Sequence, residues 1–392
     1  MLKRLLQKEL PQLLREYPAV TVLGPRQSGK TTLVRTLRGY QYCNLELPEN
    51  RELASDDPKA FLNNYRGKVI FDEIQRAPEL LSYLQVRIDE ENRNGQIILT
   101  GSHQPALRES ISQSLAGRTA VLQLLPFSIV ELTAGGICYD SFEEYAFTGF
   151  LPRIHDQQQR PRQAYSNYYQ TYVERDVRQL INLKDDSLFE KFIKLLAGRT
   201  GQLMDYSLLA NDVGVDAKTI RHWLSILEAS FIVFKLPPYY ENFGRRVIKS
   251  PKYYFTETGL LVYLLGIEKP EQIRRDPLVG AIFENLVVIE CLKSQLNRGD
   301  NANLYFFRDS NGVEVDLLIP RGSELTAMEI KSSSTFRTGF LAPLKKLEKA
   351  TGKLRQGIVV YNGESRELGS CYCAVKFDQL AKIPAHCGKI SR

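Results

Sequence analysis

The sequence predicts an α/β protein with a parallel sheet first and a second, separate α/β unit last. Three observations predict this. Short β-rich apolar runs alternate with helix-like stretches over roughly the first 135 residues. Between about 136 and 275 the chain turns mainly helical, with aromatic and charged residues at helical spacing. After Asp276 and Pro277 a long apolar helix precedes four strand-like runs.

The chain has 392 residues, enough for two or three domains at about 150 residues each. Its hydrophobic fraction of 43% and charged fraction of 25% are ordinary for a folded protein. Fifty-two Lys and Arg against 45 Asp and Glu give a net charge of +7, which permits contact with nucleic acid or acidic lipid without demonstrating either. Cys43, Cys138, Cys291, Cys371, Cys373 and Cys387 form no CxxC and no disulfide framework, as expected in a reducing cytosol. Zinc at Cys371, Cys373, His386 and Cys387 is disfavoured, since the first pair sits in a strand-like stretch and the second in a polar tail. Leu2, Leu5, Leu6, Leu10, Leu13 and Leu14 would form one helical face, interrupted by charges unlike a signal peptide. No run approaches the ~20 apolar residues that span a bilayer. A soluble, cytoplasmic protein with no membrane partner is expected.

Residues 19–23, 42–45, 68–71, 96–100 and 120–124 read as strands of a parallel sheet covered by helices. The expected organisation is a core at 1–135, a helical lid region at 136–200, a third region at 201–275 and a last domain at 276–392.

The first of these strands runs into Gly24-Pro25-Arg26-Gln27-Ser28-Gly29-Lys30-Thr31, a full GxxxxGK[ST] match, and a helix-like stretch begins at Thr32. In this context backbone N–H groups cradle phosphate oxygens at a helix N-terminus. Lys30 would reach the β- and γ-phosphates and Thr31 would offer its hydroxyl to Mg²⁺, so ATP and Mg²⁺ are the expected substrate and cofactor. The strand-like run at 68–71 ends in Asp72 and Glu73. Asp72 would hold the metal through water, and Glu73 would polarise the attacking water. A chance glycine turn and a strand that merely ends in acids is the alternative, and the order of the two signals argues against it. The run at 96–100 ends in Gly101-Ser102; Ser102 would sense the γ-phosphate, or simply begin a turn.

GPRQSGKTTL, VIFDEIQRAPEL, ILTGS, SLAGR and LLPFSIVEL together resemble a family of predicted prokaryotic AAA-type ATPases with a C-terminal domain of unknown function. YVERDVRQL and SPKYYFTETGLLVYLLG look like further family segments, so the resemblance covers nearly the whole chain. Glu257 departs from it, standing where Asp is expected before Thr258-Gly259. The resemblance implies AAA-type organisation with Lys30, Thr31, Asp72 and Glu73 in their usual roles. It also puts Arg118, just before a strand, where such proteins often carry the arginine that reaches a neighbouring subunit's ATP. A homo-oligomer would follow from that role; a surface or salt-bridged arginine is the alternative. Arg175 reads as a structural ion-pair residue.

Asp205 reads as the cap of a helix at 206–210, and Asp216 as the cap of a second at 217–228. Ile220, Trp223, Leu224 and Leu227 form its apolar stripe, with Lys218, Arg221, His222 and Ser225 opposite. A strand at 231–236 follows, then a stretch at 239–252 in which Arg245, Arg246, Lys249 and Lys252 face only Glu241. This is a winged-helix layout, with DNA contact expected through Lys218, Arg221, His222, Arg245 and Arg246. A solvated or protein-binding face remains open.

In the last domain Glu284 lies on a helix, Asp316 in a strand at 313–319, and Glu329 and Lys331 two apart on the next strand, hence on one face. A hairpin through 320–323 would bring Asp316 beside them. Carboxylates and a lysine so placed can hold Mg²⁺ and orient hydroxide for phosphodiester attack, with Asp316 and Glu329 as ligands. The set resembles the D…ExK core of restriction-endonuclease-like nucleases, with Glu284 similar to the extra acid of the Holliday-junction-resolvase branch. An inactive remnant used for docking, or an ordinary ion pair, is the alternative. The expected function is an ATP-hydrolysing, DNA-processing protein. Its rival is an ATP-driven switch or remodelling factor acting on a protein partner.

Overall fold

The computed structural model describes residues 2–102, 105–178, 186–239, 250–309, 312–369 and 371–382. Five parallel strands open the chain: β1 (Ala19–Gly24), β2 (Gln41–Asn44), β3 (Val69–Asp72), β4 (Ile97–Ser102) and β5 (Thr119–Gln123). Their order is β2-β3-β4-β1-β5. Both faces are covered, which explains why β1, β3 and β4 are apolar without strict alternation. Leu23, Phe71 and Leu99 pack on one face with Leu80, Leu81 and Leu84 of the helix Leu80–Glu91. Val20, Val22, Ile70 and Ile98 pack on the other with Leu6, Leu10 and Leu14. Of the predicted leucine face, Leu6, Leu10 and Leu14 are buried and Leu2, Leu5 and Leu13 only partly so, because the segment forms a 3₁₀ turn (Leu5–Lys8) and a separate α-helix (Leu10–Glu16) with proline in its first turn. The helix after the phosphate loop is shorter than expected, spanning Lys30–Val34.

In the middle of the chain, Asp205 accepts from the N–H groups of Ser207 and Leu208 to start the helix Tyr206–Val213, and Gly214 (φ 98°) ends it. Asp216 accepts from the N–H of Thr219 to start the helix Ala217–Ala229. Ile220, Trp223, Leu224 and Leu227 are buried. Lys218, Arg221, His222 and Ser225 are exposed. Strands β6 (Val233–Leu236) and β7 (Lys252–Phe255) then pair antiparallel. Arg245, Arg246 and Lys249 lie outside the described residues, as do His386 and Cys387. Lys252 corrects the expectation for the basic stretch: it is 3% exposed and points into the protein.

The helix Val279–Leu296 is apolar nearly all round and packs against a mixed sheet, β12-β13-β11-β10-β9-β8. Its strands are β8 (Tyr305–Arg308), β9 (Glu314–Arg321), β10 (Glu324–Lys331), β11 (Leu354–Tyr361), β12 (Arg366–Glu367) and β13 (Tyr372–Lys376). β9 and β10 form the expected hairpin, with Arg321 opposite Glu324. β10, β11 and β13 run parallel. The helix Ala342–Thr351 crosses from β10 to β11 and buries Leu344 and Leu347 against Leu318, Ala327 and Val359. On the opposite sheet face Leu317, Met328, Ile330 and Ile358 belong to an apolar cluster that also holds Phe127, Tyr165, Trp223 and Phe283. One continuous core therefore joins the middle of the chain to the last sheet.

Candidate functional site

Parallel pairing brings the C-terminal ends of β1, β3 and β4 to one edge, with Gly24 opposite Ser102 and Phe71 opposite Leu99. The phosphate-loop residues, Asp72, Glu73 and Ser102 therefore meet there, as the sequence implied. A Cβ on Gly24 would overlap the carbonyl oxygen of Leu124, and Gly29 has φ 91°, so both loop glycines are required by geometry. Lys30 is 5% exposed and donates to the carbonyls of Gly24 (3.1 Å) and Pro25 (2.9 Å). Burial lowers its pKa, opposed by the nearby Glu73 and Asp72 carboxylates. The Ser28 hydroxyl is fully buried without a hydrogen-bond partner. A buried ammonium held by its own loop's carbonyls at the start of the helix Lys30–Val34 suits a polyphosphate.

Asp72 is the hub of the edge. Thr31 donates its hydroxyl to Asp72 at 2.9 Å and Tyr42 donates its phenol at 2.6 Å, while Thr100 donates to the other carboxylate oxygen. Burial and the Asp72 carboxylate raise the Tyr42 pKa, keeping the phenol a donor. Glu73 follows in the left-handed region (φ 60°), uncommon for a residue with a side chain, and its N–H donates to the Thr100 hydroxyl at 3.2 Å. Its carboxylate accepts from Gln75 and from the Ser102 hydroxyl at 3.2 Å. Thr31 with Asp72 is an oxygen set that fits Mg²⁺, and Glu73 stands beside it. Sequence reading missed Tyr42, Gln75 and Thr100. The last lies in the ILTGS segment, but nothing marked its side chain as aimed at Asp72.

Arg118 sits immediately before β5, at the sheet edge opposite the phosphate loop. Asp89 holds it in a bidentate pair (2.6 and 2.8 Å). It does not approach the loop of its own chain.

The last unit gathers the second predicted set. Lys331 lies 2.6 Å from Glu329 and 3.5 Å from Asp316, and Asp316 also accepts from the Ile330 N–H at 2.8 Å. Glu284 accepts from the Tyr254 phenol at 2.6 Å. Lys252, arriving on β7, reaches Glu314 at 2.7 Å and Glu284 at 3.3 Å. Lys331 thus brings the two expected ligands, Asp316 and Glu329, together, while among the described residues no group of three or more His, Cys, Asp and Glu is arranged to hold an ion. Burial, and next the Asp316 charge, push the Glu329 carboxyl up to about 8 despite Lys331. Burial also raises Glu284, opposed by Lys252. Glu257, standing where the family resemblance expects Asp, is buried. It accepts from the Phe150 N–H (2.9 Å) and the Tyr165 phenol (2.8 Å), tying the start of the helix Thr258–Leu264 to the 142–168 region. Among the described residues no helix is long and apolar enough to cross a membrane.

Three family models match the chain in turn: an AAA domain over residues 16–133, a domain of unknown function (DUF8612) over 139–271, and a second (DUF4143) over 279–379. An uncharacterized protein of Mycobacterium tuberculosis is 31% identical over 378 residues, covering 95% of this chain and 82% of its own length. An uncharacterized protein of Haemophilus influenzae is 24% identical over 346 residues, covering 79% and 81%. Among solved structures, a Walker-type ATPase of Pyrococcus abyssi is similar at a TM-score of 0.45 and 16% identity, over 66% of this chain and 94% of that one. The chain belongs to the family of the mycobacterial protein, and its residues 16–133 form an AAA-type P-loop ATPase module.

Proposed function

We propose that this protein hydrolyses ATP at the edge formed by β1, β3 and β4. The observation that carries the reading is the convergence of Lys30, Thr31, Asp72 and Glu73 on that edge, each held by a named partner. The loop N–H groups and Lys30 bind the phosphates. Thr31 and Asp72 would hold Mg²⁺, which when bound neutralises charge on the transferring group. Ser102 and Gln75 orient the Glu73 carboxylate, which takes a proton from the attacking water. Asp72, buried beside three hydroxyl donors, stays fixed. Arg118 would act on a neighbouring subunit's nucleotide only after leaving Asp89. ATP turnover by the full chain tests the reading, with Glu73→Gln as the variant that should bind ATP and fail to cleave it.

For the rest of the chain, the exposed Lys218, Arg221 and His222 support DNA contact by the two-helix unit, read as a winged helix with its basic residues Arg245 and Arg246. The Lys252 contacts favour the second reading for the last unit: a nuclease-like fold that docks a partner rather than cuts DNA, driven by the ATP state. Incubation of the protein with linear and branched DNA in Mg²⁺ or Mn²⁺ decides between them. Cleavage lost in Asp316→Ala would restore the nuclease reading.

A further inference from the structure

The first sheet and the long helix of the last unit are joined by a buried chain of charges that the proposed hydrolysis does not use. Arg4, in the segment before the first helices, donates to the carbonyl of Ser28 inside the phosphate loop at 2.6 Å. The same guanidinium donates to the Leu125 carbonyl at 2.7 Å and to Glu131 at 2.9 Å, and it lies 4.9 Å over the Phe127 ring. Glu131 also accepts from the N–H groups of Leu5 (2.8 Å) and Ser128 (2.9 Å). From the other side, Lys293 donates to the Phe127 carbonyl at 2.7 Å and pairs with Glu290 at 3.0 Å. Glu290 in turn accepts from the Ile129 N–H at 2.7 Å. Residues 125–129 are thus clamped between two ion pairs. One touches the phosphate loop. The other sits on the helix Val279–Leu296, which also carries Glu284.

All four charged side chains are at least nine-tenths buried: Arg4 8%, Glu131 1%, Glu290 6% and Lys293 1% exposed. Two such pairs are poor candidates for stability alone, because apolar residues of similar volume would do as well or better. Their effect is on position. The Ser28 carbonyl belongs to the peptide whose N–H is that of Gly29, in the loop that cradles phosphate. Fixing that carbonyl fixes the N–H on the phosphate side. Any shift of the loop on taking up nucleotide is passed through Arg4 and Glu131 to residues 125–129, and on to Glu290 and Lys293.

We infer that Arg4 is a positioning residue for the phosphate loop, and that Arg4–Glu131 and Glu290–Lys293 form a mechanical link by which nucleotide occupancy is felt on the helix Val279–Leu296. This rests on ATP binding at the loop. The test is titration of the full-length protein with a fluorescent ATP analogue, together with amide hydrogen exchange of residues 279–296 with and without ATP.

Arg4→Ala should weaken binding by about tenfold or more, with partial recovery in Arg4→Lys, which can still donate to Ser28. Glu290→Gln and Lys293→Met, which do not touch the loop, should each weaken it by about threefold. The Arg4→Ala/Lys293→Met double variant should lose less than the product of the singles. ATP should slow exchange in residues 279–296 of the wild type and not of Glu290→Gln. If Lys293→Met fails to fold, Glu290→Gln, which keeps the size and an acceptor, carries the test. Binding by Glu290→Gln within about twofold of wild type, with ATP-induced protection of the helix intact, overturns the link. A wild type that binds the analogue no better than Lys30→Ala overturns the nucleotide reading instead, and the link with it.

Discussion

Replacing Glu329 with Gln should stabilise the protein, and by more as the pH rises. Glu329 is 5% exposed, and in the folded chain its pKa is pushed up to about 8. In the unfolded chain it is about 4.3. Between those values the native state keeps a proton that the unfolded state has lost. The stability associated with Glu329 is therefore complete below about pH 4 and drains away as pH climbs through about 8. Each pH unit in that window costs up to about 1.4 kcal/mol, so the step from pH 5 to pH 8 has a ceiling of about 4 kcal/mol. Local relaxation and water penetration around the site reduce this to about 2–3 kcal/mol. Gln keeps the shape of the neutral acid and never ionises, so it escapes the loss. Trp223, the single tryptophan, lies in the same apolar cluster as Met328 and Ile330, so its fluorescence reports unfolding of that core. Urea unfolding curves of wild type and Glu329→Gln should nearly coincide at pH 5 and separate by pH 8, with the variant the more stable. A separation that does not change with pH would refute the burial argument.

Other outcomes follow from the same geometry. Lys252→Met should destabilise by about 1–3 kcal/mol, because Glu284 loses its cation while Glu314 keeps Arg308, and adding Glu284→Gln should recover part of it in urea melts. Gly149→Ala should cost several kcal/mol, since its φ is 66° and a Cβ would overlap the Tyr165 phenol; thermal unfolding checks this. If the two-helix unit binds DNA, removing Lys218 and Arg221 should weaken binding and flatten its dependence on salt, by about one unit of slope for each phosphate no longer neutralised.

The nucleotide edge was legible because its residues are contiguous. The loop, the paired acids after an apolar run, and the Ser102 turn each carry their meaning within a few positions, and parallel pairing does the rest. The β9–β10 hairpin was legible for the same reason: Gly322 in a short polar link sets the register that places Asp316 beside Lys331. The partners brought in from afar were not. Lys252 reads as one more cation in a basic stretch until β7 pairs with β6 and delivers it to Glu284 and Glu314. Arg4 and Glu131 are 127 positions apart, and neither matches a motif. A buried ion pair leaves little trace in local patterning, because each half looks like an ordinary surface charge.

ATP hydrolysis by the purified full-length chain, measured as phosphate release beside Lys30→Ala and Glu73→Gln, tests the central claim most directly. The prediction is Mg²⁺-dependent turnover in the wild type, loss of nucleotide binding in Lys30→Ala, and retained binding with at least about a hundredfold slower cleavage in Glu73→Gln. Equal turnover in all three proteins, or ATP binding by the wild type that Lys30→Ala leaves unchanged, would contradict the account.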